Sequence, residues 1–402
     1  MHIVYVSREY PPSKRSGGIA SYIKEMATSL VAIGHQVTVV AASDDTRLSS
    51  DQMEEGIRVI RLKGGNFIIP EVEPMVFYKR FRGIYRYKSY CKRIRKTVLA
   101  LQDVDIVEVA EFGAESFYLH NIGIPIVIRL HAATLVWQSC IDGKRGLTLK
   151  NLRHYYMDVQ ELNEVQRCQY ITSCSTSLKQ IMVEWLRIEK TCIKVIYNPV
   201  NISKWSDCRH SKANNSDGYL ILQAGTVTNV KGCEDLIKAC LILKEKTGWK
   251  LTLKLVGKNS AFAEYLRSAY SQYDWISIGQ QVLREELKRL YVQADVVCVS
   301  SWWENMPMAC IEAMLCGCIV IGTQNGGISE IIQDGENGFL MEPKNPEDLA
   351  KKLEKVLSLN LERKREISVN ATRRIKTAFS SGVIISQMLE YYQWVIKDFK
   401  RK

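Results

Sequence analysis

The sequence predicts an α/β protein made of two doubly wound, parallel-sheet domains. Three observations predict it. The chain has 402 residues, more than one hydrophobic core of ordinary size organises. Short apolar runs rich in β-branched residues alternate with stretches of helical periodicity, and the runs are apolar throughout, as in strands covered on both faces. This rhythm lapses once, over the polar residues 203–218, and then begins again. With 46% hydrophobic and 24% charged residues, the composition excludes a disordered chain.

The first run, residues 2–6 (HIVYV), leads into a loop holding Pro11, Pro12, Gly17 and Gly18 and then a helical pattern over 19–33. Gly34-His35 ends that helix, and 36–41 (QVTVVA) is the next strand, completing a βαβ unit. Further strands are predicted at 106–109, 126–130 and 171–173. The second series comprises strands at 219–223, 251–256, 275–278, 296–300 and 318–322, with a glycine loop from Gly225 to Gly232 before a helix over 233–244. The expected organisation is an N-terminal domain over 1–203 and a C-terminal domain over 218–380. In the tail, 381–402, Ile385, Met388, Leu389, Tyr392 and Val395 recur near helical spacing and predict a terminal helix packed back on the first domain.

Lys and Arg number 55 against 43 Asp and Glu, a formal charge of +12, which favours polyanionic partners. The start has no signal-peptide character and no apolar run approaches the ~20 residues of a membrane helix. The expectation is a cytoplasmic protein that meets a membrane only from its surface. The 12 cysteines show no metal-ligand spacing and are read as reduced thiols. Asp103-Val104-Asp105 formally matches an Asp-x-Asp metal motif but precedes a strand and reads as a loop cap. No metal and no cofactor are expected. Residues 79–96 contain no acid, and tyrosines punctuate their Lys and Arg. A solvated helix face and a surface for anionic lipid headgroups both fit this stretch; nucleic acid ranks lowest, because no nucleic-acid motif accompanies it.

Ligands of doubly wound sheets bind at the carboxyl ends of the strands, so a cleft between two such domains is the expected site. The richest segment is Ser300 to Met314. It leaves a strand and opens a helix, with Glu304 in the loop and Glu312 inside the helix. The backbone N–H groups around Asn305, Met306, Pro307 and Met308 and the positive helix end suit a diphosphate. Glu312 can accept two hydrogen bonds from a ribose diol, and Glu304 can do the same for sugar hydroxyls. Two glutamates alone are more readily read as a helix-dipole partner and a solvated helix residue.

The wider pattern narrows this choice. Glu304-x7-Glu312 resembles the signature of the GT4 family of retaining glycosyltransferases of GT-B fold, and the likeness continues through Gly317, Gly326-Gly327, Glu330, Asp334-Gly335 and Asn337-Gly338. Gly17-Gly18 with Gly34-His35 resembles the family's N-terminal glycine loop and first helix end. Residues 225–232 (GTVTNVKG) are similar to its phosphate-binding loop, and 195–200 to the segment closing its first domain.

The resemblance implies two Rossmann-like domains facing a central cleft, with a nucleotide-sugar donor held by the second. It casts Glu304 as a contact to the donor sugar, Glu312 to the ribose, and Lys231 as the charge that neutralises the departing diphosphate. Gly17 and Gly18 let the backbone approach phosphate or acceptor closely, Gly225 and Thr226 belong to the expected phosphate loop, and the base is expected near Gln280. Thr226 stands where the family often has Arg, and Pro307 where it often has Gly. His131, at a strand end, is read either as structural or as a contact to the donor sugar. No carboxylate announces itself as a covalent nucleophile. The resemblance implies a front-face route, with the leaving diphosphate helping to deprotonate the acceptor. The expected acceptor is a glycan or lipid-linked intermediate of cell-surface polysaccharide synthesis, with UDP favoured over GDP in the donor. The alternative is a non-catalytic nucleotide- or polyanion-binding module on the same fold. A dinucleotide-dependent oxidoreductase is disfavoured, since the first glycine loop lacks Gly-x-Gly-x-x-Gly spacing.

Overall fold

The computed structural model describes residues 1–14, 17–45, 47–65, 77–143, 155–205 and 218–402, with side chains from residue 83 in the helix beginning at 77 and from 156 in the one beginning at 155. The expected linker over 203–218 therefore lies mostly outside the described residues, as do the side chains of 79–82. The chain divides into two compact units, Met1–Pro199 with Ser381–Lys402, and Val200–Ser380.

The first unit runs β1 (His2–Val6), α1 (Gly18–Ala32), β2 (Gln36–Ala42), β3 (Ser50–Glu54), β4 (Ile57–Leu62), α2 (Phe77–Ala100), β5 (Ile106–Ala110), β6 (Ile126–Leu130), α3 (Thr134–Asp142), α4 (Tyr155–Arg167), β7 (Tyr170–Ser173), α5 (Thr176–Leu186) and β8 (Ile193–Val195). Its sheet has the order β3-β4-β2-β1-β5-β6-β7-β8, parallel except for β3 against β4. β1 pairs with both β2 and β5, so the strand order reverses there, with Val4 beside Thr38 on one side and Val107 on the other. β1 and β5 are buried at every position, as a sheet covered on both faces requires.

The second unit runs β9 (Tyr219–Ala224), α6 (Cys233–Thr247), β10 (Leu251–Val256), α7 (Ala261–Ala269), β11 (Ile276–Ile278), α8 (Arg284–Gln293), β12 (Val296–Val299), α9 (Met308–Leu315), β13 (Val320–Thr323), α10 (Ile328–Ile331), β14 (Phe339–Met341), α11 (Pro346–Leu357) and α12 (Leu361–Ala378). The six strands are parallel in the order β11-β10-β9-β12-β13-β14, and the reversal falls between β9 and β12. Residues 200–205 belong to this unit: the Val200 N–H donates to Phe379 O at 2.9 Å, and the Trp205 ring lies 6.1 Å from that of Tyr291.

The last helix, α13 (Ser381–Arg401), returns to the first unit. Its Ile384, Ile385, Met388, Tyr392 and Val395 share a core with Tyr5, Met26 and Leu30. Beneath that contact, buried Glu108 of β5 accepts from Tyr392 at 2.6 Å and from Tyr22 at 2.8 Å.

The structure corrects one part of the sequence reading of residues 79–96. Tyr87 and Tyr90 do not interleave with the basic residues on an outer face. They are fully buried with Cys91, Ile94 and Val98, and the Tyr87 hydroxyl donates to Ala114 O at 2.7 Å. Lys88 lies over the rings of Phe117 and Tyr156, and Arg95 donates to Tyr118 O. Among the described side chains of 83–96 the exposed ones are Tyr85, Arg86, Lys92 and Lys96, a basic face that keeps one tyrosine. No described helix is long and apolar enough to cross a membrane. Asp105 Oδ2 accepts the N–H of His2 at 2.8 Å, so this acid caps the start of β1. Among the described residues no group of three or more His, Cys, Asp or Glu is placed to hold a metal ion.

Candidate active site

In a doubly wound sheet the loops leaving the two strands at the reversal diverge and leave a crevice. In the second unit these are the loop after β9, residues 225–232, and the loop after β12, residues 300–307. The structure brings the two together. Ser300 Oγ donates to Gly232 O at 2.9 Å, the Trp302 N–H donates to Val230 O at 2.9 Å, and the Trp302 indole donates to Asp235 at 2.7 Å. Gln223 reinforces the junction from β9, donating to Lys231 O at 2.7 Å. Gly232 makes this approach possible: it has φ 63°, and a Cβ there would stand 2.0 Å from Ser300 O. Gly326, at φ 68°, does the same for the next loop, where a Cβ would lie 1.9 Å from Glu304 O.

Out of this junction come the two charged side chains. Lys231 Nζ and Glu304 Oε1 form a direct ion pair, both half-buried, and Ser301 Oγ donates to the same carboxylate oxygen at 2.9 Å. The backbone of Glu304 is held as well, its carbonyl accepting from the Gly327 N–H at 2.9 Å. Glu312 lies in the second turn of α9 and is half-buried. Desolvation pushes its carboxyl up to about 7, with nearby Arg284 pulling the other way. Asn305, Met306 and Pro307 are buried and Met308 half-buried, and α9 starts with no side-chain cap and no acid in its first turn. Its positive end carries no compensating acid from its own first turn and suits an anion. Gly225 and Thr226 are exposed just beyond β9, and Gln280 is exposed just beyond β11. The structure thus gathers Lys231, Glu304 and the start of α9 around one junction.

The remaining expected residues belong to the first unit. Gly17 and Gly18 are exposed at the start of α1, where Gly17 is the extended N-cap residue. His131 follows β6 directly. Its ring meets Tyr22 edge-on at 5.1 Å, and beneath it buried Arg129 places its guanidinium 4.7 Å from the Tyr22 ring centre. Burial, and then the positive Arg129, hold His131 well below the usual histidine range, so it is neutral near pH 7. Its chemistry is therefore that of a hydrogen-bonding group and not of a cation.

Sequence reasoning missed the supports of these residues. Ser300, Ser301, Gln223 and Asp235 carry no motif of their own. Arg129 did leave a visible mark, a charge inside the otherwise apolar run 126–130. Two buried carboxylates, Glu111 and Glu161, also escaped notice; Glu111 Oε1 accepts the backbone N–H of His131.

Both units match known families. Residues 16–204 match Glycosyltransferase Family 4 and residues 207–374 match Glycosyl transferases group 1. An uncharacterised glycosyltransferase of Methanocaldococcus jannaschii is 27% identical over 372 residues, 89% of each chain. A glycogen synthase of Mycobacterium tuberculosis is 24% identical over 384 residues, 89% of this chain and 86% of that one. Among solved structures, sucrose-phosphate synthase from Thermosynechococcus elongatus superposes with a TM-score of 0.79 at 19% identity, covering 99% of both chains. Anabaena HepE in complex with UDP-glucose gives 0.69 at 19% identity, covering 97% of this chain and 98% of that one. Two parallel-sheet α/β domains of this kind are the GT-B architecture, and the chain is a glycosyltransferase. It belongs to the GT4, or group 1, glycosyltransferases.

Proposed function

We propose that this enzyme transfers a hexose from a nucleoside-diphosphate sugar, UDP in preference to GDP, to a glycan or lipid-linked acceptor with retention of anomeric configuration. The observation that carries this reading is the Lys231–Glu304 pair, built where the loops of β9 and β12 meet and followed eight residues on by Glu312. An ammonium beside an uncapped helix start suits a diphosphate, and the carboxylates on either side of it suit the hydroxyls of a sugar and a ribose. UDP-glucose in the crystal structure of Anabaena HepE favours uridine.

The residues divide the work as follows. The diphosphate meets Lys231 and the N–H groups opening α9, which stabilise the negative charge that grows as the glycosidic bond breaks. Glu304, already accepting from Lys231 and Ser301, orients the sugar through its hydroxyls and is poorly placed to act as a free nucleophile. The departing diphosphate then takes the proton of the acceptor hydroxyl on the same face. Neutral His131 supplies a hydrogen bond to a sugar hydroxyl. Acceptors in polysaccharide synthesis are often tethered to lipid, and the outer face of α2, with Arg86, Lys92 and Lys96, is a suitable contact for an anionic cytoplasmic leaflet.

A panel of UDP- and GDP-hexoses, read by release of the nucleoside diphosphate with mass detection, tests the donor. UDP-hexose turnover is expected, falling by at least about 10²-fold in Glu304→Ala. UDP and GDP are expected to raise the melting temperature and NAD to leave it unchanged. Turnover that survives Glu304→Ala would overturn the site. An inverted product anomer in an NMR time course would overturn the mechanism.

A further inference from the structure

The turn that carries His131 is held in an unusual way. Glu111, directly after β5, lies fully buried, and its Oε1 accepts the backbone N–H groups of both His131 and Ala132 at 2.5 Å each. Glu161 of α4, equally buried, accepts the N–H of Thr134 at 2.7 Å on Oε2 and the N–H of Gly113 at 2.8 Å on Oε1. One carboxylate thus holds the first two residues of the turn. The other joins its far end to the loop following Glu111. Ala133, the residue before α3, offers no side-chain cap, so Glu161 reaches across from another helix to satisfy the first N–H of α3. Between these two grips Ala132 sits at φ 110°, a backbone region that side chains rarely adopt and that persists only where the surroundings impose it.

Two buried carboxylates are a costly way to shape a loop, since each loses its hydration and each opposes the ionisation of its neighbour. Desolvation is the largest influence on both, and both carboxyls lie above the usual glutamate range. A neutral turn residue would satisfy one N–H group at less cost. What the two carboxyl groups add is acceptor oxygens that reach four N–H groups of two loops, all at the carboxyl ends of β5 and β6, the end of the sheet where ligands bind.

We propose that Glu111 and Glu161 are positioning residues that fix the turn 131–134, and with it the hydrogen-bonding direction of His131 toward the transferring sugar. This rests on the reading of His131 as a sugar contact given above.

The test compares Glu111→Ala, Glu111→Gln, Glu111→Asp and His131→Ala, and the double variant Glu111→Ala/His131→Ala, on the donor hexose identified by the panel. Glu111→Ala should lower kcat by about 10²-fold, with donor KM within about threefold of wild type. Gln offers a carbonyl oxygen at the same reach and should recover most of the loss. Asp is one carbon short and should not. In the His131→Ala background, Glu111→Ala should cost less than about threefold, because its effect travels through that histidine. Amide hydrogen exchange over 131–134 should quicken in Glu111→Ala and Glu111→Asp and stay slow in Glu111→Gln. Full additivity of the two alanine losses, or unchanged turnover and exchange in Glu111→Ala, overturns the proposal while leaving His131 in its role. Unchanged turnover in His131→Ala removes that role and the proposal together. Should Glu111→Ala fail to fold, the proposal stands or falls on the contrast between Gln and Asp: equal turnover and exchange in those two variants overturns it.

Discussion

Glu312 offers the sharpest handle on the proposed donor site, because its ionisation is set by burial and its proposed partner is a ribose diol. Its carboxyl is raised from 4.5 to about 7 in the unliganded protein, equivalent to about 3 kcal/mol against the ionised form. An ionised Glu312 accepts two hydrogen bonds from the diol, whereas the protonated acid must give up one acceptor position. Donor binding should therefore expel a proton below pH 7, and affinity should rise toward pH 7 with a limiting slope of about tenfold per unit, then level off. The probe should be a UDP-hexose and not UDP, whose terminal phosphate titrates near pH 6 by analogy with other phosphate monoesters. Isothermal titration in two buffers of different ionisation heat reads both the affinity and the proton released. In Glu312→Gln the slope and the proton release should vanish. The unliganded protein supplies a second check with a definite sign. A carboxyl raised by folding favours the folded state below its unfolded pKa, and that contribution is lost as pH climbs from about 4.5 to about 7. Glu312→Gln escapes this loss and should gain in stability over wild type between about pH 5 and pH 8. Equal pH slopes for wild type and Glu312→Gln would refute the assignment of Glu312 to the ribose.

Three further outcomes are expected. Gly232→Ala places a Cβ 2.0 Å from Ser300 O in a left-handed backbone, so it should cost about 2–5 kcal/mol in urea denaturation and weaken UDP-induced thermal stabilisation; an unaltered midpoint would contradict the tight loop junction. Tyr392→Phe withdraws one hydroxyl donor from buried Glu108, and equilibrium unfolding should show a loss of about 1–3 kcal/mol. A neutral effect there would mean that Tyr22 alone satisfies the carboxylate. Reversing Arg86, Lys92 and Lys96 to Glu should abolish co-sedimentation with phosphatidylserine vesicles, at about 1 kcal/mol per charge in low salt, and wild-type protein that stays in the supernatant ends the membrane reading.

Lys231 and Glu304, which the structure brings together at the loop junction, stood out in the sequence because each lies in a short local motif. A glycine-flanked lysine and two glutamates spaced along a loop and helix keep their meaning without knowledge of distant partners. Strands such as 251–256 and 126–130 were legible for the same reason, as continuous apolar runs. What escaped depended on distance or brevity. The grip of Glu161 on the loop of Gly113 spans 48 residues and leaves no trace in either segment. β3 is polar and lies at the sheet edge, while α10 and β14 are too short to establish a period. The tyrosines of α2 are a different case. Tyr87, Cys91, Ile94 and Val98 recur at helical spacing, so their burial was written in the periodicity, and it was the surrounding abundance of Lys and Arg that drew attention outward.

The return of α13 to the first unit has a consequence for the order in which the protein is made. Strands β1 to β8 emerge from the ribosome early, yet the core that includes Tyr5, Met26 and Leu30 receives its last covering only from residues after Ser381. The second unit, contiguous from Val200 to Ser380, is available in full before that helix exists. Synthesis therefore leaves the earlier-made unit waiting, with an apolar face open to chaperones or to wrong partners, while the later-made one can already close. A fragment ending at Pro199 would hold that exposed intermediate permanently.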